Sequence, residues 1–122
     1  MSKKDRAPLG KAGLTTEEIQ LKNDLELERD LQKDVHNLLR QRDVLVITNR
    51  FGKRSTATKG VPDFNFSWNC RPYAFECKVG NRKPSQRQLE THMHMRRNGW
   101  LVFVVRSLKE AQEFLDGKLQ VL

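Results

Sequence analysis

The stretch from Gly60 to Lys78, GVPDFNFSWNCRPYAFECK, most constrains what this chain can fold into. Aromatic and apolar residues alternate with small or polar ones on both sides of the tetrapeptide NCRP at 69–72, which predicts two strands joined by a turn. Successive side chains of a strand point to opposite faces. One face is therefore apolar and carries Phe64, Phe66, Trp68, Tyr73, Phe75, Cys77 and Val79. If the apolar faces of the two strands pair, Asp63, Glu76 and Lys78 meet on the opposite surface, and two carboxylates beside an amine are typical of a metal-dependent hydrolase.

Length and composition limit the class of protein. The 122 residues suffice for one domain with a modest core, which we assign to residues 15–122. Charged residues make up 31% of the chain, no run of about 18 apolar residues occurs, and the N-terminus lacks the apolar segment of a signal peptide. We therefore expect an intracellular, cytoplasmic protein with no membrane partner. Cys70 and Cys77 are too few for a disulfide framework or a four-ligand zinc site, and we expect Cys77 to be buried and reduced.

The net charge of +8 is unevenly distributed. Acids dominate residues 17–34, whereas between positions 44 and 106 the acids are Asp63, Glu76 and Glu90 alone, against twelve Lys or Arg. Such a basic surface favours phosphate backbones, and the alternative is the solvated surface of a basic protein. The candidate nucleic-acid contacts are Arg50, Lys53, Arg54, Lys59, Arg82, Lys83, Arg87, Arg96 and Arg97.

The whole chain predicts the order helix, three strands, helix, strand, helix. The predicted elements are a helix from a Thr15 cap to about Gln41, a strand at 44–48, the two strands of the hairpin, a helix from a Ser85 cap over 86–98, a strand at 100–105 and a helix from Ser107 to about Asp116. The almost uninterrupted apolar run at 100–105 favours a central strand covered on both faces. Residues 1–14 predict a flexible basic arm, and residues 50–59 a basic loop suited to phosphates.

An apolar stripe runs along the first predicted helix at spacings of three and four residues. The stripe consists of Leu21, Leu25, Leu31, Val35, Leu38 and Leu39. Glu28 lies inside it, where a carboxylate is costly unless a partner or a metal satisfies it; the alternative is a place at the edge of the stripe, facing solvent or an Arg. Asn23 and Asp24 are a candidate interruption of the helix. On the second helix we expect Leu89 and Met93, four residues apart, to mark the buried side.

Four short motifs, in this order along the chain, resemble the VRR-NUC family, a branch of the PD-(D/E)xK nuclease superfamily: E-x-x-L-Q at 28–32, G-V-P-D at 60–63, E-C-K at 76–78 and S-x-x-Q at 85–88. The likeness spans roughly residues 25–112. It implies an α/β, restriction-endonuclease-like core, with a mixed four-stranded sheet flanked by helices. It also implies a nuclease dependent on Mg²⁺ or Mn²⁺. Its similarity to stand-alone members, typically viral or bacterial, implies a homodimer that acts on branched DNA such as four-way (Holliday) junctions.

The resemblance also implies a role for individual residues. Asp63 and Glu76 would bind the metal, Lys78 would be the catalytic lysine, and Glu28 would match a glutamate of the first helix that approaches the metal. Mg²⁺ prefers oxygen ligands and keeps several waters. The two carboxylates together with the backbone carbonyl of Cys77 would then be a sufficient share from the protein.

Each assignment has an alternative. Gln88 would be the catalytic glutamine of the second helix, but Ser85 and Gln88 also form a capping box that needs no catalysis. Glu76 and Lys78 alone fit an exposed ion pair worth about 0–1 kcal/mol. Asp63, thirteen residues before Glu76, favours the metal site.

Two histidines of the second predicted helix do not suit a shared metal ion. His92 and His94 are two residues apart on a helix, so they diverge, and we expect them on the surface.

Two other functions remain open for the chain. One is a non-catalytic DNA-binding module on the same fold, and the other is a protein-interaction domain in which the acidic first helix docks a partner.

Overall fold

The computed structural model describes residues 13–48 and 59–119, and its elements follow the predicted order. The helices are α1 (Thr16–Gln41), α2 (Gln86–Arg97) and α3 (Leu108–Leu115), and the strands are β1 (Val46–Thr48), β2 (Phe64–Trp68), β3 (Arg71–Cys77) and β4 (Leu101–Val105). Most of the predicted basic arm and Arg50, Lys53 and Arg54 of the predicted basic loop lie outside the described residues. Within the described ranges no helix is long and apolar enough to cross a membrane.

A four-stranded mixed sheet forms the centre of the fold, in the order β1-β2-β3-β4. The first three strands are antiparallel, and β4 runs parallel to β3. The hairpin between β2 and β3 turns through Asn69 and Cys70, with φ of 52° and 61°. Positive φ at both central residues belongs to a two-residue type I′ turn, whose twist matches that of paired strands. The turn is therefore shorter than the predicted tetrapeptide, and Arg71 pairs with Trp68 inside the sheet.

The apolar face of the hairpin forms the core, as the alternation predicted. Phe64 lies opposite Phe75, and Phe66 opposite Tyr73. Helices α1 and α3 cover this face: His36 of α1 contacts the ring of Phe64 with a centroid separation of 5.8 Å. The buried cluster comprises Leu31, Val35, Leu38, Leu39, Phe64, Phe66, Tyr73, Phe75, Cys77, Val79, Phe103, Val105, Ala111 and Leu115.

The prediction that residues 100–105 form a central strand is wrong, because β4 lies at an edge of the sheet. The strand is apolar because helices cover both of its faces. The ring of Phe103 lies 4.0 Å from that of Phe114 of α3. On the other face, Arg96 of α2 donates to the carbonyl oxygen of Val102. Burial on two faces thus does not require a central position.

Two expectations about helix faces are also wrong. Helix α1 is continuous through Asn23 and Asp24, but its stripe is buried only from Leu31 onward; Leu21 and Leu25 are 52% and 40% exposed. The leucines of the N-terminal half of α1 therefore do not belong to the buried core.

On α2 the buried side differs from the predicted one. Leu89 and Met93 are exposed, whereas His92, expected on the surface, is completely buried. Consecutive helical residues are rotated by about 100°, so a helix that turns His92 toward the sheet turns Met93 away from it. His94 is exposed, as expected.

Candidate active site

Asp63 and Glu76 lie side by side on the sheet face opposite the aromatic core. Phe64 pairs with Phe75, so one step further along the same antiparallel register sets Asp63 beside Glu76. Asp63 Oδ2 accepts a hydrogen bond from the backbone N–H of Cys77 at 2.9 Å and one from Gln32 Nε2 at 3.2 Å. The carboxylate of Asp63 is thus held from both the neighbouring strand and α1.

The G-V-P-D motif positions Asp63 by packing the chain against α2. Gly60 has φ of +85°, and a Cβ there would lie 2.6 Å from Thr91 Oγ1 and 2.7 Å from the carbonyl oxygen of Arg87. Only glycine suits both the positive φ and this close approach. Pro62 is fully buried immediately before the aspartate. The motif is therefore a rigid lead into β2 as well as the source of a carboxylate.

Burial perturbs both carboxyl groups. Burial raises the pKa of Asp63 to about 7, and the neighbouring Glu76 adds to the increase. Burial likewise raises the pKa of Glu76 to about 7, against the opposing effect of Lys78. Among the described residues, Glu76 Oε1 is buried without a hydrogen-bond partner. Two adjacent acids of this kind favour a cation between them.

Lys78 completes the cluster predicted from strand alternation. Its Nζ lies 4.0 Å from Glu76 Oε2, and the two side chains are only 8% and 3% exposed. The backbone N–H of Lys78 donates to Val105 at 3.0 Å, which continues the pairing of β3 with β4 and fixes the position of the lysine. The alternative of an exposed surface ion pair is therefore wrong.

Two residues of α1 reach the same site. Glu28 is half-buried, and among the described residues its Oε1 has no hydrogen-bond partner. Burial raises the pKa of Glu28, whereas the charges of Lys78 and Arg82 oppose the increase. One turn later, Gln32 donates to Asp63. Gln32 occurs in the E-x-x-L-Q motif, but sequence reasoning gave it no role; its spacing of four residues from Glu28 was the available signal.

Helix α2 contributes one predicted residue and one unexpected residue. Gln88 Oε1 accepts from the backbone N–H of Ser85 at 2.8 Å, and Ser85 Oγ accepts from that of Gln88, so the capping box is present. His92 Nε2 lies 3.9 Å from Glu76 Oε1. Burial and the charges of Arg96 and Lys78 lower the pKa of His92 to about 4, so its imidazole is neutral.

The donor set suits a hard divalent cation rather than zinc. Within residues 13–48 and 59–119, no three His, Cys, Asp or Glu side chains are grouped as metal ligands. Burial raises the pKa of the Cys77 thiol, so its sulfur is not a thiolate ligand. Unpartnered carboxylate oxygens on Glu28 and Glu76 fit the oxygen preference of Mg²⁺ or Mn²⁺. These carboxylates therefore fit Mg²⁺ or Mn²⁺ held by a small number of protein ligands.

The described basic residues differ in how freely they are available to phosphates. Lys59, Lys83, Arg87, Arg96 and Arg97 are exposed, and Arg82 is half-buried. Arg96 also donates to the carbonyl oxygen of Val102 at 2.8 Å, so part of its hydrogen-bonding capacity serves the packing of α2 on β4.

A solved structure described as a VRR_NUC domain is similar to this chain. The two are 28% identical, and the match covers 75% of this chain and 97% of the other, with a TM-score of 0.60. No family model matches the sequence. No curated protein matches it either. The mixed four-stranded sheet with its three helices agrees with the fold that the four motifs implied, and the chain therefore has the VRR-NUC family fold.

Proposed function

We propose that this protein is a divalent-metal-dependent endonuclease that hydrolyses phosphodiester bonds of branched DNA such as four-way junctions. The observation that carries the proposal is the cluster of half-buried Asp63 with buried Glu76 and Lys78 on one face of the sheet. Neighbouring acids with pKa values raised to about 7 favour a bound cation, and the VRR-NUC fold supports a nuclease.

Each residue of the cluster has a distinct task in this reaction. Asp63 and Glu76, with the backbone carbonyl of Cys77, would hold Mg²⁺ or Mn²⁺, and Glu28 extends toward the same place. When bound, the ion supplies a nucleophilic water and neutralises charge that grows on the phosphate. Gln32 and the N–H of Cys77 fix the orientation of Asp63.

Lys78 acts on the same phosphate. It presents a cation beside Glu76, where it stabilises the developing negative charge and orients the attacking water. The side chain of Gln88 caps α2 and thereby supports the helix that carries His92 toward Glu76.

We further propose that two copies pair through α1. Leu21 and Leu25 are exposed on the N-terminal half of that helix. Charges of alternating sign flank them, namely Glu18, Lys22, Glu26 and Arg29. Antiparallel pairing about an axis near residues 23–24 brings Glu18 close to Arg29 of the second copy. The same pairing brings Lys22 close to Glu26, so the surface is complementary to itself. Such a dimer presents two sites to a symmetric junction.

Light scattering tests the pairing. The double substitution Leu21→Glu and Leu25→Glu is expected to give a monomer mass, because it places like charges at the centre of the contact. Leu27→Glu, on another side of the same helix and 56% exposed, is the matched control and should leave a dimer. A monomer mass for the unaltered protein at the concentration of the cleavage assay would remove the dimer.

Cleavage of end-labelled DNA tests the activity. The protein is incubated with a four-way junction or a linear duplex, in Mg²⁺, Mn²⁺ or EDTA. Lys78→Met keeps the apolar stem of the buried lysine and should abolish cutting, whereas Lys109→Met at an exposed position of α3 should cut normally. Metal-dependent cutting of the junction alone supports the whole proposal. Cutting of both DNAs removes the preference for branched DNA, and binding without any cutting indicates a non-catalytic module.

A further inference from the structure

The sheet face that carries Asp63 and Glu76 is only partly covered. Helix α2 packs over its β4 side, whereas an open groove of about 470 Å³ lies over β1 and β2. We call it the sheet groove and define it by Leu45, Ile47, Asn65, Ser67, Pro72 and Trp100. Its volume is that of a small-molecule site. The side chains come from neighbouring strands on one face, because Ile47 pairs with Asn65 and Ser67 with Pro72.

Asn65 supplies the sheet groove with an unused hydrogen-bond acceptor. The side chain is only 7% exposed. Its Nδ2 donates to the carbonyl oxygen of Pro62 at 3.0 Å and to that of Ile47 at 3.5 Å, which fixes the orientation of the amide. Within the described ranges, Asn65 Oδ1 has no hydrogen-bond partner. A buried acceptor of this kind is costly unless a ligand brings a donor.

The other groups of the sheet groove suit a flat ligand that is attached to an anion. Leu45 and Ile47 are 88% and 71% exposed and form one apolar wall. Trp100 offers an aromatic surface, and Arg71 adds an exposed positive charge to the lining. An aromatic surface beside a cation is what binds bases of an unpaired strand.

We propose that the sheet groove binds one unpaired nucleobase of the DNA strand whose adjacent phosphate lies at Asp63 and Glu76. Asp63 immediately precedes β2, and Asn65 follows it by two residues on the same face, a separation of about 7 Å, so one nucleotide can reach both sites. The base stacks on the apolar side chains beside Asn65; because Asn65 Oδ1 is itself buried, the amide must turn toward the groove before it can accept from the amino group of the base. A base inside a duplex is enclosed by its neighbours, so only an unpaired base can enter. This inference rests on the proposed nuclease function and adds a preference for branched DNA whose bases are unpaired at the branch point.

Binding of a fluorescent DNA tests the proposal without any cutting. The full chain with Lys78→Met, which should not cut, is titrated in Mg²⁺ with a duplex that holds a single unpaired 2-aminopurine, and with the same duplex fully paired; the variants below carry the same change. We expect about tenfold tighter binding of the unpaired form, since stacking of one base typically contributes about that factor. We also expect the fluorescence of the unpaired base to change on binding. Leu45→Ser and Ile47→Ser, which alter exposed side chains and leave the fold intact, should reduce the preference, and Trp100→Leu should remove the fluorescence change.

Leu27→Ser, on α1 and 56% exposed, is the matched control and should keep the preference. Equal affinity for the two DNAs, or an unchanged preference in Ile47→Ser and Trp100→Leu, overturns the base site alone. Failure to bind either DNA overturns the proposed nuclease as well. A lower mass of Leu45→Ser and Ile47→Ser in light scattering, with no change in DNA preference, assigns the groove to a contact between copies and also overturns the proposal.

Discussion

Replacing Asp63 by Asn should stabilise the protein in the absence of metal. Folding raises the pKa of this carboxyl group from 3.8 to about 7, so ionising it at pH 8 costs about 4 kcal/mol relative to the unfolded chain. Asn is of similar size and keeps an acceptor for the N–H of Cys77. That acceptor is neutral, however, so the substitution loses the contribution of hydrogen bonds to a charged acceptor, about 2 kcal/mol. We therefore expect a net gain of about 2 kcal/mol in the free energy of unfolding at pH 8, or about 8 °C in melting temperature.

The gain should depend on pH in a defined direction. Because the pKa is raised by folding, the folded protein binds more protons than the unfolded chain between about pH 4 and pH 7. The contribution of this group to stability is therefore greatest below this window and is lost as the pH rises through it. The advantage of Asp63→Asn should be full at pH 8 and absent at pH 4. Thermal melts in EDTA across this range measure it.

Bound metal should reverse the order of stability of the unaltered protein and Asp63→Asn. Saturation with Mg²⁺ at about one hundred times its dissociation constant should stabilise the unaltered protein by about 2.7 kcal/mol and leave Asp63→Asn unchanged. Asp30→Asn, at an exposed position of α1, is the control and should show neither effect. An equal gain for Asp63→Asn at pH 4 and pH 8, or a loss of stability at pH 8 in EDTA, would refute the reasoning that ionisation at this site is costly.

Three further predictions follow from individual contacts. Gly60→Ala should lower the free energy of unfolding, measured by urea denaturation, by about 3 kcal/mol, because it adds a clash to a positive φ. Gly80→Ala, with φ of +56° and nothing within 4 Å of the added Cβ, should lower it by only about 1 kcal/mol. Gln32→Leu should reduce the affinity for Mg²⁺ by about tenfold or more in calorimetry, since it removes a hydrogen bond that orients Asp63; an unchanged affinity would contradict that role. A thiol reagent should modify the exposed Cys70 in the native protein and reach the buried Cys77, whose thiol pKa is raised, only after denaturation.

The sequence suffices to predict the hairpin and its two faces because alternation along a strand is a local property. The pairing of Phe64 with Phe75 follows once both aromatic faces must be buried together, and the positions of Asp63 and Glu76 are then determined. The caps at Thr15, Ser85 and Ser107 are equally local, and all three are present.

Properties that depend on how elements pack are not predictable in this way. Leu21 and Leu25 continue the apolar stripe of α1, but which part of a stripe is buried depends on how the helix packs on other elements, and both side chains are exposed. The edge position of β4 is likewise not predictable from the sequence, because a strand covered by helices on both faces is as apolar as a central strand.

His92 and Asn65 illustrate how function departs from hydrophobic patterning. The apolar Leu89 and Met93 of α2 face solvent, while the polar His92 is fully buried beside Glu76. Likewise Asn65, rather than an apolar residue, occupies a buried position of β2 two residues after Asp63. A sheet face built only for stability would bury the apolar side chains and exclude the polar ones. The reversal occurs on the face that carries the carboxylates and on the helix that covers it. Such a reversal is expected of a face that binds a ligand, and it therefore supports the proposed site.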